Sequence, residues 1–188
     1  MATYKIDSAH SEITFKVRHL MISNVTGHFT KFDATMVCKN DDFTDASVSF
    51  ETDVASVTTN QEQRDVHLMS DDFFNAEKFP KITFRSTSVE KKSDEEYILH
   101  GDLTIRDVTK NIPLKVEYNG QVKDPWGQEK LGFELKGKIS RKEFGLKWNA
   151  VTEAGGVVAG DEVRLLINVQ MIKQAEAQPA ELAEKESQ

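Results

Sequence analysis

The chain has 188 residues, with 24 Lys+Arg against 31 Asp+Glu and a formal net charge of -7, a size that fits one ordinary domain. An acidic exterior repels phosphate backbones and anionic lipid headgroups, which speaks against a general nucleic-acid binder or a polybasic membrane-surface protein. The one cysteine, Cys38, closes no intrachain disulfide and has no partner cluster for zinc, so nothing requires an oxidising compartment.

No basic-then-apolar leader opens the chain, and no apolar run approaches the ~18 residues of a membrane span, so the expected location is the cytoplasm. Tyr4 and Ile6 mark a short leading strand. In residues 12–19 the odd positions Ile13, Phe15 and Val17 are apolar and the even ones polar, the period of a half-buried strand. Residues 27–38 read as one strand whose apolar set shifts parity from Phe29 to Phe32, Ala34, Met36 and Cys38, which predicts a bulge near Thr30 and Lys31. Residues 46–54 alternate through Ala46, Val48, Phe50 and Val54.

A helix is predicted over residues 61–68, with Asn60 and Gln63 as a capping-box-like start, followed by a turn from Ser70 that tucks Phe73 and Phe74 inward before Pro80. Alternation resumes at Ile82 and Phe84. It continues through Tyr97, Leu99, Gly101, Leu103 and Ile105, then Ile112, Leu114, Val116 and Tyr118. Leu131, Phe133, Leu135, Gly137 and Ile139 follow, and last Val163, Leu165, Ile167, Val169 and Met171. Short polar connections such as residues 91–95 and 119–124 favour antiparallel neighbours. Residues 1–173 form one domain of eight or nine strands. Residues 174–188, whose Glu176, Glu181, Glu184, Glu186 and Lys185 sum to -3, read as a mobile acidic tail, which leaves -4 on the domain.

In/out alternation on every strand with a single helix is an all-β pattern. A barrel would cover its own inner face and remove exposed edges, and a sandwich would use two sheets. Large inward residues share their faces with Ala34, Ala46, Thr52, Ser86, Gly101 and Gly137. Those small residues either leave a hollow or complement the rings of facing phenylalanines, and periodicity does not measure a void.

The chemistry-bearing residues favour bland readings. His10, His19, His28, His67 and His100 show no metal-ligand spacing, so no metal is expected. Asp7, His10 and Ser11 superficially resemble a hydrolase triad, but adjacency in a turn does not supply triad geometry. Asp41 with Asp42 and Asp71 with Asp72 sit where turns and helix starts favour aspartate. Arg64 and His67, one helical turn apart, form a polar spot on the solvent or rim face of the helix. Gly155, Gly156 and Gly160 lack a phosphate-loop context and read as a hairpin connection, and Trp126 and Trp148 as caps of the barrel ends.

Asp7-x-x-His10-Ser11-x-Ile13-x-Phe15-x-Val17-x-His19, then Gly27-His28-Phe29, is similar to the start of the YceI-like lipid-binding family. Residues 64–74 and 79–84, Gly101 to Ile105, Trp126-Gly127, Ile139-Ser140-Arg141-x-x-Phe144-Gly145-Leu146-x-Trp148 and Gly160 to Val163 follow in the family's order. Asp107 stands where the family often has glycine. The resemblance implies an extended, hollow, antiparallel lipocalin-like β-barrel of about eight strands with one helix beside its opening. It also implies non-enzymatic binding, storage or transport of a polyisoprenoid, an isoprenoid quinone or a fatty amide in an internal tunnel, with a homodimer as the expected assembly and no cofactor. The expected lining is Phe15, Val17, Phe32, Met36, Val48, Phe50, Phe84, Leu99, Leu103, Leu114, Val116, Phe133, Ile139 and Ile167, with Arg64 and His67 as headgroup contacts. The rival readings are a barrel enzyme acting on a lipid, and a solid-core stress or interaction domain.

Overall fold

Each alternating stretch becomes a strand because one of its faces is apolar enough to leave water and the other is not. The computed structural model describes residues 1–150 and 158–175. The strands are β1 (Ala2–Ile6), β2 (Glu12–His19), β3 (Ser23–Phe29), β4 (Phe32–Cys38), β5 (Ser47–Asp53), β6 (Val57–Thr58), β7 (Lys81–Lys91), β8 (Glu96–Ile105), β9 (Val108–Lys123), β10 (Glu129–Ser140) and β11 (Ala159–Lys173). Helix α1 (Glu62–Met69) separates β6 from β7. The sheet order is β1-β4-β5-β7-β8-β9-β10-β11-β2-β3-β6, all pairings are antiparallel, and a further β1–β11 pairing closes it.

Eleven strands make eight staves. Strand β11 pairs with β1 through Ile6 opposite Met171 and with β2 through Ile13 opposite Ile167, so β1 and β2 run the same way as one broken stave. By the same logic β3 (on β2 and β6) and β4 (on β1 and β5) form the second stave, and β5 with β6 the third. The first break is a short 3-10 turn over Ser8–His10, capped by the Asp7 carboxylate accepting from the Ala9 N–H at 3.2 Å. The third is a 3-10 turn over Val54–Ser56. At the second, the expected bulge in residues 27–38 is instead a full interruption at Thr30 and Lys31. There Asp53 N–H donates to the Lys31 carbonyl at 2.9 Å and Thr30 N–H to that of Ser56 at 3.3 Å. The parity change lets Phe29 before the break and Ala34, Met36 and Cys38 after it all face inward.

Strand β6, two residues long, escapes any periodicity reading. The helix start also differs from expectation. Gln61 is the N-cap, its side chain accepting from the Arg64 N–H, while Asn60 adopts a left-handed φ of 62° just before it. Ser70 ends α1, and Phe73 and Phe74 are buried as anticipated. Arg106, in the β8–β9 turn, fastens this segment to the barrel: it donates to the carbonyls of Asp71 at 2.8 Å and Phe73 at 2.7 Å and to Asp71 Oδ1 at 3.0 Å.

Buried apolar side chains form two adjoining groups. The larger lies toward α1 and includes Phe15, Phe29, Phe74, Phe84, Leu103 and Phe144. The smaller lies at the opposite end around Tyr4, Met36, Phe43, Tyr97, Leu131 and Phe133. There the β4–β5 loop inserts Phe43, whose ring meets Tyr118 at 5.1 Å, Phe133 at 5.6 Å and Tyr97 at 6.1 Å, each edge-on. Among the described residues no helix is long and apolar enough to cross a membrane. The glycine connection at Gly155 and Gly156 and the tail from residue 176 onward lie outside the described residues.

Candidate apolar cavity

The staves enclose a cavity of about 450 Å³ that reaches from Phe43 and Met171 at one end to Phe73, Phe74 and Trp148 beside α1 at the other. Phe15, Val17, Met36, Val48, Phe50, Phe84, Leu99, Leu103, Leu114, Val116, Phe133, Ile139 and Ile167 all line it. Phe32 does not. It follows the stave break directly, pairs with Thr52, packs half-buried against the core edge and borders a shallow polar notch with Lys31, Asp33, Glu51 and Lys81.

The void does not come from the inward glycines. A Cβ on Gly101 would lie 2.2 Å from the Phe84 ring, one on Gly27 2.2 Å from that of Phe15, and one on Gly137 2.6 Å from a Leu114 methyl. Neighbouring side chains therefore fill the space above these glycines, while Ala34, Ala46 and Thr52 remain in the lining. Ser86 is outside it, its hydroxyl accepting the Val48 N–H at 2.7 Å.

The titratable groups of the described lining are Arg18, His19, Arg64, His67, Tyr97 and Arg141, and no carboxylate is among them. Arg64 donates through Nε to the Thr59 hydroxyl at 2.7 Å and through Nη2 to the Thr59 carbonyl at 2.9 Å. Asp65 Oδ1 accepts from the Thr59 N–H at 2.8 Å and hydroxyl at 2.6 Å, so α1 grips the residue that leads into it. His67 Nε2 is 2.8 Å from Asp72 Oδ2, and its ring stands edge-on to Trp148 at 4.7 Å and Phe73 at 5.1 Å. The two expected headgroup contacts thus sit on the cavity wall as well as on the helix, not on a purely solvent face. Of the two tryptophans only Trp148 closes toward the barrel; Trp126, in the β9–β10 turn, is 84% exposed and caps nothing.

Arg141, absent from the sequence-derived candidates, is 3% exposed. Its guanidinium donates to the carbonyls of Gly160 at 2.7 Å, Leu146 at 2.6 Å, Trp148 at 2.8 Å and Ala159 at 3.1 Å, and so holds the strand-leaving segment that carries Trp148 against the start of β11. Burial lowers its pKa from the ordinary arginine value, partly offset by nearby Asp161, and the group stays charged. A triad at Asp7, His10 and Ser11 is not formed: His10 Nδ1 meets Asp7 Oδ2 at 2.9 Å, while the buried Ser11 hydroxyl accepts the Gln170 N–H at 3.0 Å across the stave seam. Asp42 accepts from Thr44, and Asp71 from Arg106 and Asn75, as turn and clamp residues. Among the described residues no three His, Cys, Asp or Glu gather as metal ligands.

Fold and site together define a closed antiparallel β-barrel around an apolar chamber, with a helix at one rim. The YceI-like domain model matches residues 4–171, and the chain belongs to that family. Protein YceI of Escherichia coli O157:H7 is 41% identical over 175 residues, covering 92% of this chain and 88% of that protein. Among solved structures, BcnA of Burkholderia cenocepacia superposes with a TM-score of 0.77 at 21% identity, covering 88% of this chain and 98% of that one. A polyisoprenoid binding domain from Saccharophagus degradans superposes with a TM-score of 0.65 at 13% identity over 91% and 98% of the two chains.

Proposed function

We propose that this protein binds, stores or carries a long apolar molecule, a polyisoprenoid, prenylquinone or fatty amide, in a tunnel formed by the chamber, without transforming it. The observation that carries the reading is the wall itself: an apolar lining running between two aromatic ends, within the ~300–1,000 Å³ typical of small-molecule sites. Removing a hydrocarbon chain from water yields about 25 cal/mol per Å² of apolar surface, enough for retention without catalytic groups. The Saccharophagus degradans neighbour, described as a polyisoprenoid binding domain, supports the same ligand class. A polar head that accepts hydrogen bonds lies against Arg64 and His67 beside Trp148. An enzyme working on the chain needs an acid and a base converging on it; of the groups in the described lining able to serve, Tyr97 lies at the Phe43 end and His67 at the Trp148 end.

Native mass spectrometry and organic extraction of purified protein test this. Expected is a co-purified lipid, or stoichiometric uptake of a prenylquinone or fatty amide, with a change in emission from Trp148 and from a Phe50→Trp variant. A protein that carries no lipid and takes up neither probe would overturn the reading.

A further inference from the structure

The loop between β2 and β3 carries the largest run of exposed apolar side chains on the described surface: Leu20 is 40%, Met21 60% and Ile22 83% exposed. Three-residue hairpin loops favour glycine, asparagine or aspartate where φ turns positive, yet Leu20 and Met21 adopt φ of 51° and 64°. This backbone presents large apolar side chains outward where a polar turn would form more easily. The loop is fixed in place, with Leu20 N–H donating to the Val158 carbonyl at 2.8 Å and His19 opposite Ala159.

Its position gives the tip a context. The residues at its base, Arg18, His19 and Val25, line the chamber at the same end as Arg64, His67 and Trp148. On α1, between Arg64 and His67, Val66 is 58% exposed. Apolar tips therefore stand outside a mouth where Arg18, His19, Arg64 and His67 line the chamber, with Asp72 hydrogen-bonded to His67 and Asp65 beside Arg64.

We infer that the β2–β3 tip docks on a lipid surface, inserting Leu20, Met21 and Ile22 so that the chamber mouth faces the bilayer from which the ligand is drawn. This rests on the carrier reading above. A water-insoluble chain leaves a membrane faster through a mouth held against it than by crossing water. Area favours a bilayer over a second copy of the chain: three loop side chains and Val66 fall far below the ~1,000 Å² that a stable protein interface buries. A few inserted apolar residues suffice for weak, reversible membrane contact. The net charge of -7 disfavours an anionic surface, so the contact rests on the inserted apolar side chains.

The test compares wild type with Met21→Ser/Ile22→Ser, neither position being in the chamber wall. Phosphatidylcholine vesicles with a minor share of phosphatidylglycerol carry a fluorescent fatty amide, and the rate of probe transfer to protein is measured beside vesicle co-sedimentation. Equilibrium uptake of the same probe from dilute solution checks the chamber and the fold of the variant. Expected are equal uptake from solution and transfer from vesicles slowed by about tenfold or more in the variant. Equal transfer rates, or no wild-type contact with vesicles, overturn the docking and leave the chamber intact. Failure of the wild type to take up probe from solution overturns the carrier reading instead; co-sedimentation lost in the variant then still upholds docking. A wild-type dimer in sedimentation velocity that the variant splits, without vesicle contact, overturns docking and assigns the tip to a second copy.

Discussion

A buried guanidinium that touches no carboxylate keeps its charge only if carbonyl oxygens surround it, and Arg141 has four such partners. Arg141→Met strands those carbonyls and is expected to cost about 3 kcal/mol or more, seen as a lower urea midpoint. Arg141→Lys restores little, because an ammonium does not reach partners spread across a planar fork. Glycine positions differ among themselves: Gly27→Ala meets only the tip of the Phe15 ring, whereas Gly101→Ala also meets the Arg85 carbonyl at 2.7 Å. Gly101→Ala should thus destabilise by about 1–3 kcal/mol, and by more than Gly27→Ala, in the same unfolding measurement. Acid acts on Asp7 and Asp161. Burial raises both, but the hydrogen bond from His10 and the Ala9 N–H on Asp7, and those from Ser140 and the Lys142 N–H on Asp161, hold each carboxyl below the ordinary value. Their stabilisation is complete above the unfolded value of about 3.9 and is lost as pH falls through the lower folded values. Asp161→Asn should flatten the fall of urea midpoint with pH in that window; an unchanged slope would count against the pairing. Arg141 stands in a motif of the resemblance, but its role does not show in the sequence, since the carbonyls of Ala159 and Gly160 reach it only through tertiary folding.

At the scale of elements, α1 is short and its stability comes from two anchors, the bonds from its Arg64 and Asp65 back to Thr59 and those of Arg106 to the segment after it. Arg106→Ala is expected to cost about 1–3 kcal/mol and to speed amide exchange selectively over residues 70–79. Uniform exchange across the barrel would contradict this local role. The strands themselves were legible because alternation is a local property of each stretch. Strand β2 begins and ends where its pattern does, at Glu12 and His19. What was illegible is the pairing. Nothing within residues 27–38 says that the halves lie on different partners, and so the parity change read as a bulge when it is a stave break. Phe32 obeys the parity of Ala34 and Met36 and lies opposite the lining residue Thr52, but it stands directly at the break, at the edge of the core and outside the cavity lining.

For the whole molecule, the inward set is readable strand by strand and Trp148, Phe73 and Phe74 at one end are too, but the opposite end is not, because a loop supplies it. Phe43, left-handed at φ 60° in the β4–β5 loop, closes the end away from α1, and Trp148 stands on the segment held by Arg141. Phe43→Ala should open that end, so that native mass spectrometry detects retention of longer chains than the wild type holds. A large-to-small change here also costs about 3–5 kcal/mol, so Phe43→Leu serves as the milder variant. An unchanged length preference in both would show that the end wall lies elsewhere. The pairing of Ile6 with Met171 has one more consequence. This seam joins residues almost a full chain length apart, a topology of high contact order that closes slowly. During synthesis no chamber exists until β11 has left the ribosome, and the inward faces of the earlier strands stay open to chaperones and to mispairing until then. The chamber is thus completed only when the last strand docks, after the rest of the barrel's chain has been made.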